Sequence, residues 1–324
     1  MRLIFVGTPE FATPTLKRLA CAGHEIALVI TQPDRPAGRG RAMQPPAVKE
    51  LALELRLSVF QPESINDPES AALIRSISPD AVVVQAFGQK LSDELLSLPK
   101  HGCFNVHASL LPAYRGAAPI NHVILRGESV TGVTIIRMAG RIDAGEVLAQ
   151  QALTIHPEWT AGDLSEALAP IGADLMIHIL SDLDSGRLVP IPQDRSKVSK
   201  APKLDKSDGL IPWNRPAREV HNHIRGMTPW PGAFTFLHVA KSPQPLRVSV
   251  LRATLAPSAA PGPSSPGVVA GASHAGLVVS CGEGAVVLER VKPAGSREMS
   301  ADDFARGHGA AAGSAFTGPE GLNK

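Results

Sequence analysis

The sequence predicts an α/β fold in its front half and a small all-β fold in its rear half. Up to about residue 155, short apolar segments alternate with helical patterns, a rhythm typical of a mostly parallel sheet with helices on both faces. The rear half carries short β runs instead, as in a small barrel or sandwich. The length of 324 residues agrees with two domains at roughly 150 residues each.

Apolar runs of strand length define the expected sheet, and segments of helical period lie between them. Strands are expected at 3–6, 26–30, 59–60, 81–84, 103–107, 133–138 and 147–155, and helices at 9–22, 48–57, 71–77 and 164–183, the last interrupted near Pro170. In the rear half, a helix is expected at 217–224 and strands at 233–239, 246–251, 277–280 and 286–291.

Composition excludes several classes of protein. Hydrophobic residues make up 44% and charged residues 19% of the chain, so a sizeable core is possible and disorder of the whole chain is excluded. No run of 18 apolar residues occurs, so we expect no membrane-spanning helix. Cys21, Cys103 and Cys281 are too far apart for a disulfide framework or a CxxC metal site, which fits a reducing cytoplasm. Without heptads, we expect a monomer.

Charge and composition change near residue 200. Residues 1–200 carry 19 Lys/Arg and 21 Asp/Glu, a net of −2, whereas residues 201–324 carry 13 and 9, a net of +4. The Pro/Ser/Lys-rich stretch 188–206 predicts a domain boundary, with domains at 1–188 and 207–324 and a basic linker at 189–206. This distribution hints at a polyanionic partner, with an ordinary solvated linker as the alternative.

The segment Asn105-Val106-His107 closes a predicted strand. Its two polar side chains are two residues apart, so both point to one face, at the carboxyl end where α/β proteins bind ligands. An amide can hydrogen-bond a developing oxyanion and an imidazole can move a proton, which suits acyl transfer. A purely structural histidine is the alternative.

A second polar group follows the strand that ends at Met138. Asp143 lies between Gly140 and Gly145, so a sharp turn can bring its carboxylate beside His107 and fix the imidazole's orientation; a simple turn-former is the alternative. No Ser or Cys sits in a nucleophile-elbow context, so no covalent intermediate is suggested. The segment Gly7-Thr8-Pro9 is not a GxGxxG fingerprint, which excludes a nicotinamide dehydrogenase.

The run Asn105 to Pro112, followed by Tyr114-Arg115-Gly116-Ala117-Ala118-Pro119, resembles the formyltransferase family that uses 10-formyltetrahydrofolate. Further similar segments are Phe5-Val6-Gly7-Thr8-Pro9, the loop from Thr31 to Gly40, and Pro229-Trp230-Pro231-Gly232. The resemblance therefore covers nearly the whole chain. It implies a Rossmann-like formyltransferase domain followed by a β-barrel of the oligonucleotide-binding type.

The resemblance also implies roles for individual residues. Asn105 matches the oxyanion-binding residue, His107 the group that assists proton movement, and Asp143 the aspartate that orients it. The co-substrate would be 10-formyltetrahydrofolate, with no metal and no nucleotide cofactor. The folate-binding positions are Phe87, Gly88, Gln89, Lys90 and Leu91, whose backbone would cradle the pteridine ring, and the loop Ser109, Leu110, Leu111 and Pro112. Phe87, Lys90 and Ser92 stand where Tyr, an aliphatic residue and Pro are common.

The acceptor implied by the resemblance is the α-amino group of methionine carried by an initiator tRNA, for translation initiation. The loop 32–46 is basic and glycine-rich, and would enter near the acceptor stem. Its candidates are Arg35, Arg39 and Arg41, of which Arg39 matches the family's key arginine. Rear candidates for phosphate contacts are Lys203 and Lys206, with Lys197, Lys200, Arg218 and Arg225.

Two other functions remain open at this point. Another 10-formyltetrahydrofolate enzyme, acting on a sugar nucleotide or a purine precursor, would share Asn105, His107 and Asp143 but would need neither the arginine loop nor a basic rear barrel. A non-catalytic RNA-binding protein would need no such triad.

Overall fold

The computed structural model describes residues 1–37, 42–238, 244–257, 265–273 and 275–318. The chain divides into two compact units. Unit 1 comprises Met1–Pro119, Val130–Thr154 and Ser165–Pro202, and unit 2 comprises Ile120–Ser129, Ile155–Leu164 and Lys203–Lys324. Two short segments of the front half therefore belong to the second unit.

Unit 1 is built on a seven-stranded sheet within its described residues. The seven strands of this sheet are β1 (Arg2–Gly7), β2 (Glu25–Ile30), β5 (Val59–Phe60), β6 (Ala81–Gln85), β7 (Cys103–His107), β8 (Val130–Arg137) and β9 (Val147–Thr154). Two further strands, β3 (Arg35–Ala37) and β4 (Ala42–Gln44), form a separate hairpin. The sheet order is β5-β2-β1-β6-β7-β8-β9.

The sheet is mostly parallel, which confirms the expected fold class. The strands β5, β2, β1, β6 and β7 pair in parallel, whereas β7–β8 and β8–β9 pair antiparallel. The last pair is antiparallel because only a loop joins β8 to β9, and parallel neighbours need a longer crossover. The buried residues around this sheet are largely aliphatic, among them Ile4, Val6, Ile30, Val82 and Val84.

The described front half contains six α-helices: α1 (Thr13–Cys21), α2 (Ala47–Glu54), α3 (Pro68–Ile77), α4 (Asp93–Ser97), α5 (Pro119–Leu125) and α6 (Ala161–Asp184). All of α5 after Pro119 and the first four residues of α6 belong to unit 2. The expected interruption of the last at Pro170 is wrong, since α6 runs through this residue. Proline removes one helical hydrogen bond, but packing holds the helix, because an added Cβ at Gly172 would lie 2.6 Å from Val106. By length and composition alone α6 could cross a membrane, a test that buried core helices also pass.

Unit 2 contains an antiparallel sheet. Its strands and helices are α7 (Ala217–Gly226), β10 (Phe234–Leu237), β11 (Leu246–Leu255), β12 (Val269–Ser273), β13 (Gly276–Ser280), β14 (Ala285–Pro293), β15 (Met299–Ser300), α8 (Ala301–His308) and β16 (Phe316–Thr317). The order is β12-β13-β14-β11-β10-β16, and a bridge between Val268 and Ala315 links the regions of its two end strands. The sheet thus curls as the expected barrel does. Its core includes Phe304 and Trp213, both stacked on Phe316.

Most of the stretch that we expected to be a linker packs on unit 1. Ile191 exchanges two backbone hydrogen bonds with Val147 of β9. Further along, the amide of Ala201 donates to the carbonyl of Arg115 at 2.7 Å. Residues up to Pro202 are accordingly part of the first compact unit.

Candidate active site

The carboxyl end of β7 lies in the interior of the unit 1 sheet, between β6 and β8. Asn105 pairs with Val84 on one side and Ile136 on the other, and His107 pairs with Thr134. Residues two apart in a strand share a face, so the amide and the imidazole project together. The His107 side chain is only 5% exposed, which shields it from bulk water.

The β8–β9 loop brings Asp143 to these two side chains. Asp143 adopts a left-handed backbone conformation, with φ of 51°, at the sharp turn that the flanking glycines suggested. Its Oδ1 lies 3.4 Å from Asn105 Nδ2 and 3.6 Å from His107 Nδ1. The amide of Gly116 donates to Oδ2 at 2.8 Å. Asn105, His107 and Gly116 therefore meet around the carboxylate of Asp143, which is distant from them in sequence and only 9% exposed.

The orientation of the His107 ring is fixed from both sides. Nε2 lies 3.0 Å from the carbonyl oxygen of Tyr114. A carbonyl only accepts hydrogen bonds, so Nε2 carries the proton and donates it. Nδ1 is then the nitrogen that faces the Asp143 carboxylate.

The loop after β7 is held by hydroxyl and amide groups that sequence reasoning missed. The Thr134 hydroxyl donates to the Ser109 carbonyl at 2.6 Å and accepts from the amide of Leu111 at 3.1 Å. Gln150 Nε2 donates to the Leu111 carbonyl at 2.7 Å. The available signal was a polar residue, Thr134, within an apolar strand. Among the predicted folate residues of this loop, Ser109 and Leu111 are buried, whereas Leu110 and Pro112 are partly exposed.

The second predicted folate segment follows β6 at the same edge of the sheet. Phe87 and Leu91 point into the aliphatic core. The Gln89 side chain accepts from the amide of Ile65 and donates to the Glu63 carbonyl. Gly88 and Lys90 are exposed, and Gly88 has a φ of 89°. The segment therefore offers a ligand its backbone, since most of its side chains are turned inward or engaged.

The position of this segment is fixed through the Phe87 carbonyl. That oxygen accepts from Gln32 Nε2 at 3.2 Å and from the Thr8 hydroxyl at 3.4 Å. Gln61 in turn donates to the Gln32 carbonyl and to the Asp34 carboxylate, both at 2.8 Å. Hydrogen bonds from Gln61 and from a neighbouring lysine lower the pKa of Asp34. The base of the β3–β4 hairpin is thus joined to the candidate folate loop.

Apart from Arg225, the predicted RNA-contacting residues that the structure describes are exposed, and two of the predicted arginines lie outside the described residues. Arg35 is exposed and pairs with Glu63, with 2.8 Å between Nη2 and Oε2. Arg39 and Arg41 lie outside the described residues. Exposed positions are also found for Lys203, Lys206, Lys197, Lys200 and Arg218.

Arg225 does not fit its expected contact with phosphate. It is only 7% exposed, and its guanidinium donates to the Asn222 side chain and the Trp159 carbonyl. This expectation was wrong because a basic residue on an amphipathic helix can face inward when it finds acceptors.

The three cysteines are free thiols, exposed at Cys21 and buried at Cys103 and Cys281. Burial raises the pKa of both buried thiols to about 12, which keeps them unreactive. In the part of the chain that the structure describes, no group of three or more His, Cys, Asp or Glu could hold a metal ion.

Both parts of the chain match known protein families. The Formyl transferase family matches residues 1–180, and the family Formyl transferase, C-terminal domain, matches residues 203–309. The chain belongs to the formyl transferase family.

Several relatives show which kind of formyl transferase this chain resembles over nearly its full length. The methionyl-tRNA formyltransferase of Geobacter sulfurreducens is 43% identical over 307 residues, covering 95% of this chain and 94% of the relative. That of Moorella thermoacetica is 44% identical over 308 residues, covering 95% and 96%. A solved sugar 3N-formyl transferase superposes with a TM-score of 0.64 at 17% identity, over 92% of this chain and 99% of that one; at this identity the likeness shows the fold alone.

Proposed function

We propose that this enzyme transfers the formyl group of 10-formyltetrahydrofolate to the α-amino group of methionine on initiator methionyl-tRNA. The observation that carries the proposal is the convergence of Asn105, His107 and Asp143 at the carboxyl end of β7. It is supported by the near-full-length similarity, at 43–44% identity, to relatives named methionyl-tRNA formyltransferase.

The reaction makes and breaks one carbon–nitrogen bond. The amine nitrogen attacks the formyl carbon, and the carbonyl electrons move to oxygen. When this oxyanion collapses, the bond from carbon to N10 breaks, and the proton lost by the amine ends on N10. The Asn105 amide is placed to donate a hydrogen bond to the oxyanion; one such donor is typically worth about 2.7–4 kcal/mol in the transition state.

The proton's path runs through His107. Because Nε2 is committed to the Tyr114 carbonyl, Nδ1 takes and returns the proton. Asp143 faces this nitrogen and stabilises the ring while it is charged, as carboxylates do for catalytic imidazoles. No covalent enzyme intermediate is required, since the formyl group passes directly between two nitrogens.

The segment from Phe87 to Leu91 suits the pterin of the donor. Gly88 and Ala86, the residue before this segment, are exposed, and their φ values of 89° and 50° turn the chain sharply. Exposed peptide groups can hydrogen-bond the alternating donors and acceptors of a flat heterocycle. Phe87 packs into the core, so its identity matters less than its backbone, which accounts for the tolerance of a phenylalanine here.

Recognition of tRNA is the part of the proposal that depends most on the sequence. Arg35 is exposed at the start of β3, Arg39 and Arg41 follow it in the sequence outside the described residues, and Lys203 and Lys206 are exposed in unit 2. Arginine and lysine side chains contact phosphates, and arginines also reach the bases of opened pairs. We assign the hairpin to the acceptor end and the lysines to phosphates.

The division of labour follows the two family matches. Residues 1–188 are proposed to carry catalysis and 207–324 the tRNA-binding barrel, joined by 189–206. The free cysteines suit a cytoplasmic enzyme, and a monomer is expected. No membrane partner is invoked.

A sugar nucleotide is the second candidate acceptor, because a sugar 3N-formyl transferase shares the fold. The higher identity to methionyl-tRNA formyltransferases favours the RNA substrate. Purified protein given 10-formyltetrahydrofolate should formylate methionyl-tRNA and leave an amino-sugar nucleotide unmodified. Formylation of the amino sugar alone would reverse the assignment, and formylation of neither would favour a non-catalytic RNA-binding protein.

A further inference from the structure

The segment that runs from Ile191 to Pro202 contacts the β8–β9 loop, which carries Asp143. The contact is made by the side chain of Gln193. Gln193 Nε2 donates to two backbone carbonyls, those of Asp143 at 2.8 Å and Gly145 at 2.7 Å. Its Oε1 accepts from Arg115, at 3.1 Å from Nε and 2.6 Å from Nη2. All four polar contacts of this amide therefore join the Asp143 loop to the loop of Arg115.

The β8–β9 loop that carries Asp143 has little conformational freedom. Asp143 is left-handed, a backbone state that a side chain disfavours. At Gly145 the chain runs so close to β8 that an added Cβ would lie 1.7 Å from the Arg137 carbonyl oxygen. A loop of this kind keeps its shape only when neighbouring groups fix it, and the Gln193 amide binds it at Asp143 itself and two residues beyond.

The same segment also fixes the group that binds the Asp143 carboxylate. Ser199 and Ala201 pair with Arg115, with backbone hydrogen bonds of 2.9 and 2.7 Å. Gly116, whose amide donates to Asp143 Oδ2, has a φ of 128°, and an added Cβ would lie 2.3 Å from the Ala201 carbonyl oxygen. Gln193 therefore holds the backbone of Asp143, while Ser199 and Ala201 hold the segment that binds its carboxylate.

We propose that Gln193 is a positioning residue of the active site, acting through Asp143. By tying the Asp143 and Gly145 carbonyls to Arg115, it keeps the Asp143 carboxylate opposite His107 and Asn105. This inference rests on the proposed formyl transfer, because its effect is felt only when the carboxylate is used. Gln193 touches neither the imidazole nor the Asn105 amide in the contacts described, so it does not itself take part in the chemistry.

Removal of the amide is the first arm of the test. Gln193→Ala should lower kcat for formyl transfer by roughly ten- to a hundredfold, the size of effect that a small misplacement of a catalytic group produces. KM for both substrates should stay within about twofold, since ground-state binding is untouched. Gln193→Glu keeps an acceptor for Arg115 but loses the N–H donors, and should be impaired to a similar extent. Ser196→Ala is the matched control, because Ser196 is exposed and bonds only to Asp194 among the hydrogen bonds described.

The second arm separates positioning from general support of the fold. In an Asp143→Ala background, adding Gln193→Ala should cost no more than about twofold in single-turnover rate, because residues that act as a unit are not additive. An equal loss in both backgrounds, or no loss in the single variant, would overturn the proposal. If the wild-type protein transferred no formyl group, the proposed function would be wrong. Whether Gln193 holds the Asp143 loop would then be decided by hydrogen exchange.

That readout needs no activity. Hydrogen exchange of the backbone in residues 139–147 should be faster in Gln193→Ala than in wild type or Ser196→Ala, while exchange in β1 and β6 should be unchanged. Unaltered exchange in 139–147 would show that the loop holds its conformation without Gln193 and would contradict the proposal.

Discussion

The Nδ1 atom of His107 faces the Oδ1 atom of Asp143 at 3.6 Å. The same carboxylate oxygen lies 3.4 Å from the Asn105 amide, so one acidic group contacts both the proposed proton carrier and the proposed oxyanion donor. The other carboxylate oxygen is occupied by the Gly116 amide. Removal of this carboxylate should therefore disturb two catalytic groups at once.

Substitution of His107 by alanine should abolish the proton path. We expect kcat to fall by roughly 10²–10⁴-fold, the range typical of a positioned general acid–base group. Asp143→Asn, which keeps the size and removes the charge, should lose activity in the same range. Steady-state kinetics on variants with native circular dichroism would check this, and near-normal turnover in either one would refute the proposed proton path.

The Asn105 amide is expected to act on the transition state only. Asn105→Ala should lower kcat by roughly 10²–10³-fold, as removal of an oxyanion donor does elsewhere, with little change in binding of tRNA. Comparison of kcat with the dissociation constant from filter binding tests this. A loss confined to tRNA affinity would move Asn105 out of the chemistry.

Two glycines test how closely the segment at Gly116 packs against the Ala201 carbonyl group. Gly116 and Gly102 both have positive φ, at 128° and 85°, but an added Cβ meets the Ala201 carbonyl only at Gly116 and open space at Gly102. Both alanine variants incur backbone strain, of order 1–3 kcal/mol, and Gly116→Ala adds a clash. Urea denaturation should therefore rank Gly116→Ala as the less stable variant, and only this one should also lose activity. Equal stability and equal activity of the two would contradict the described packing.

The partly buried His223 should make unit 2 sensitive to acid. Burial lowers its pKa below the ordinary value of 6.5, with hydrogen bonding to Gly209 and the charge of Asp208 acting in the opposite direction. Above pH 6.5 neither state binds the proton, whereas below it the unfolded chain binds the proton more readily, so stability is lost as pH falls. The urea midpoint should drop between about pH 7.5 and 5.5, and His223→Asn should reduce that drop. The exposed His178→Asn should leave it unchanged; a drop unaffected by His223→Asn would assign it to other groups.

The hairpin arginines should affect RNA recognition without affecting stability. Arg35 is exposed and paired only at the surface with Glu63, so Arg35→Ala should change the free energy of unfolding by less than about 0.5 kcal/mol. For Arg39, which lies outside the described residues, we expect Arg39→Ala to shrink the preference for tRNAs with a mismatched first base pair over those with a paired one. If both tRNAs lose activity in parallel and the salt dependence flattens by about one, the contact is with phosphate alone.

Sequence patterns predicted the parallel strands well because β1, β2 and β6 contain apolar runs bounded by turn residues and β7 is apolar apart from Asn105 and His107. Asn105 and His107 were accessible because strand geometry alone puts both on one face. The resemblance, more than any pattern, singled out Asp143 among loop carboxylates. Gln193 and Thr134 could not be found this way, since each acts through backbone groups that are distant in sequence. The stretch after residue 188 looked like a linker because its composition is polar, although its backbone pairs with β9 and Arg115.

Formyl transfer to initiator and elongator methionyl-tRNA, measured side by side with 10-formyltetrahydrofolate as donor, tests the central claim most directly. The account predicts that wild-type protein formylates the initiator species with a much larger kcat/KM than the elongator species, and that His107→Ala formylates neither at a comparable rate. Absence of formyl transfer to either tRNA by folded wild-type protein, or unimpaired transfer by His107→Ala, would contradict it.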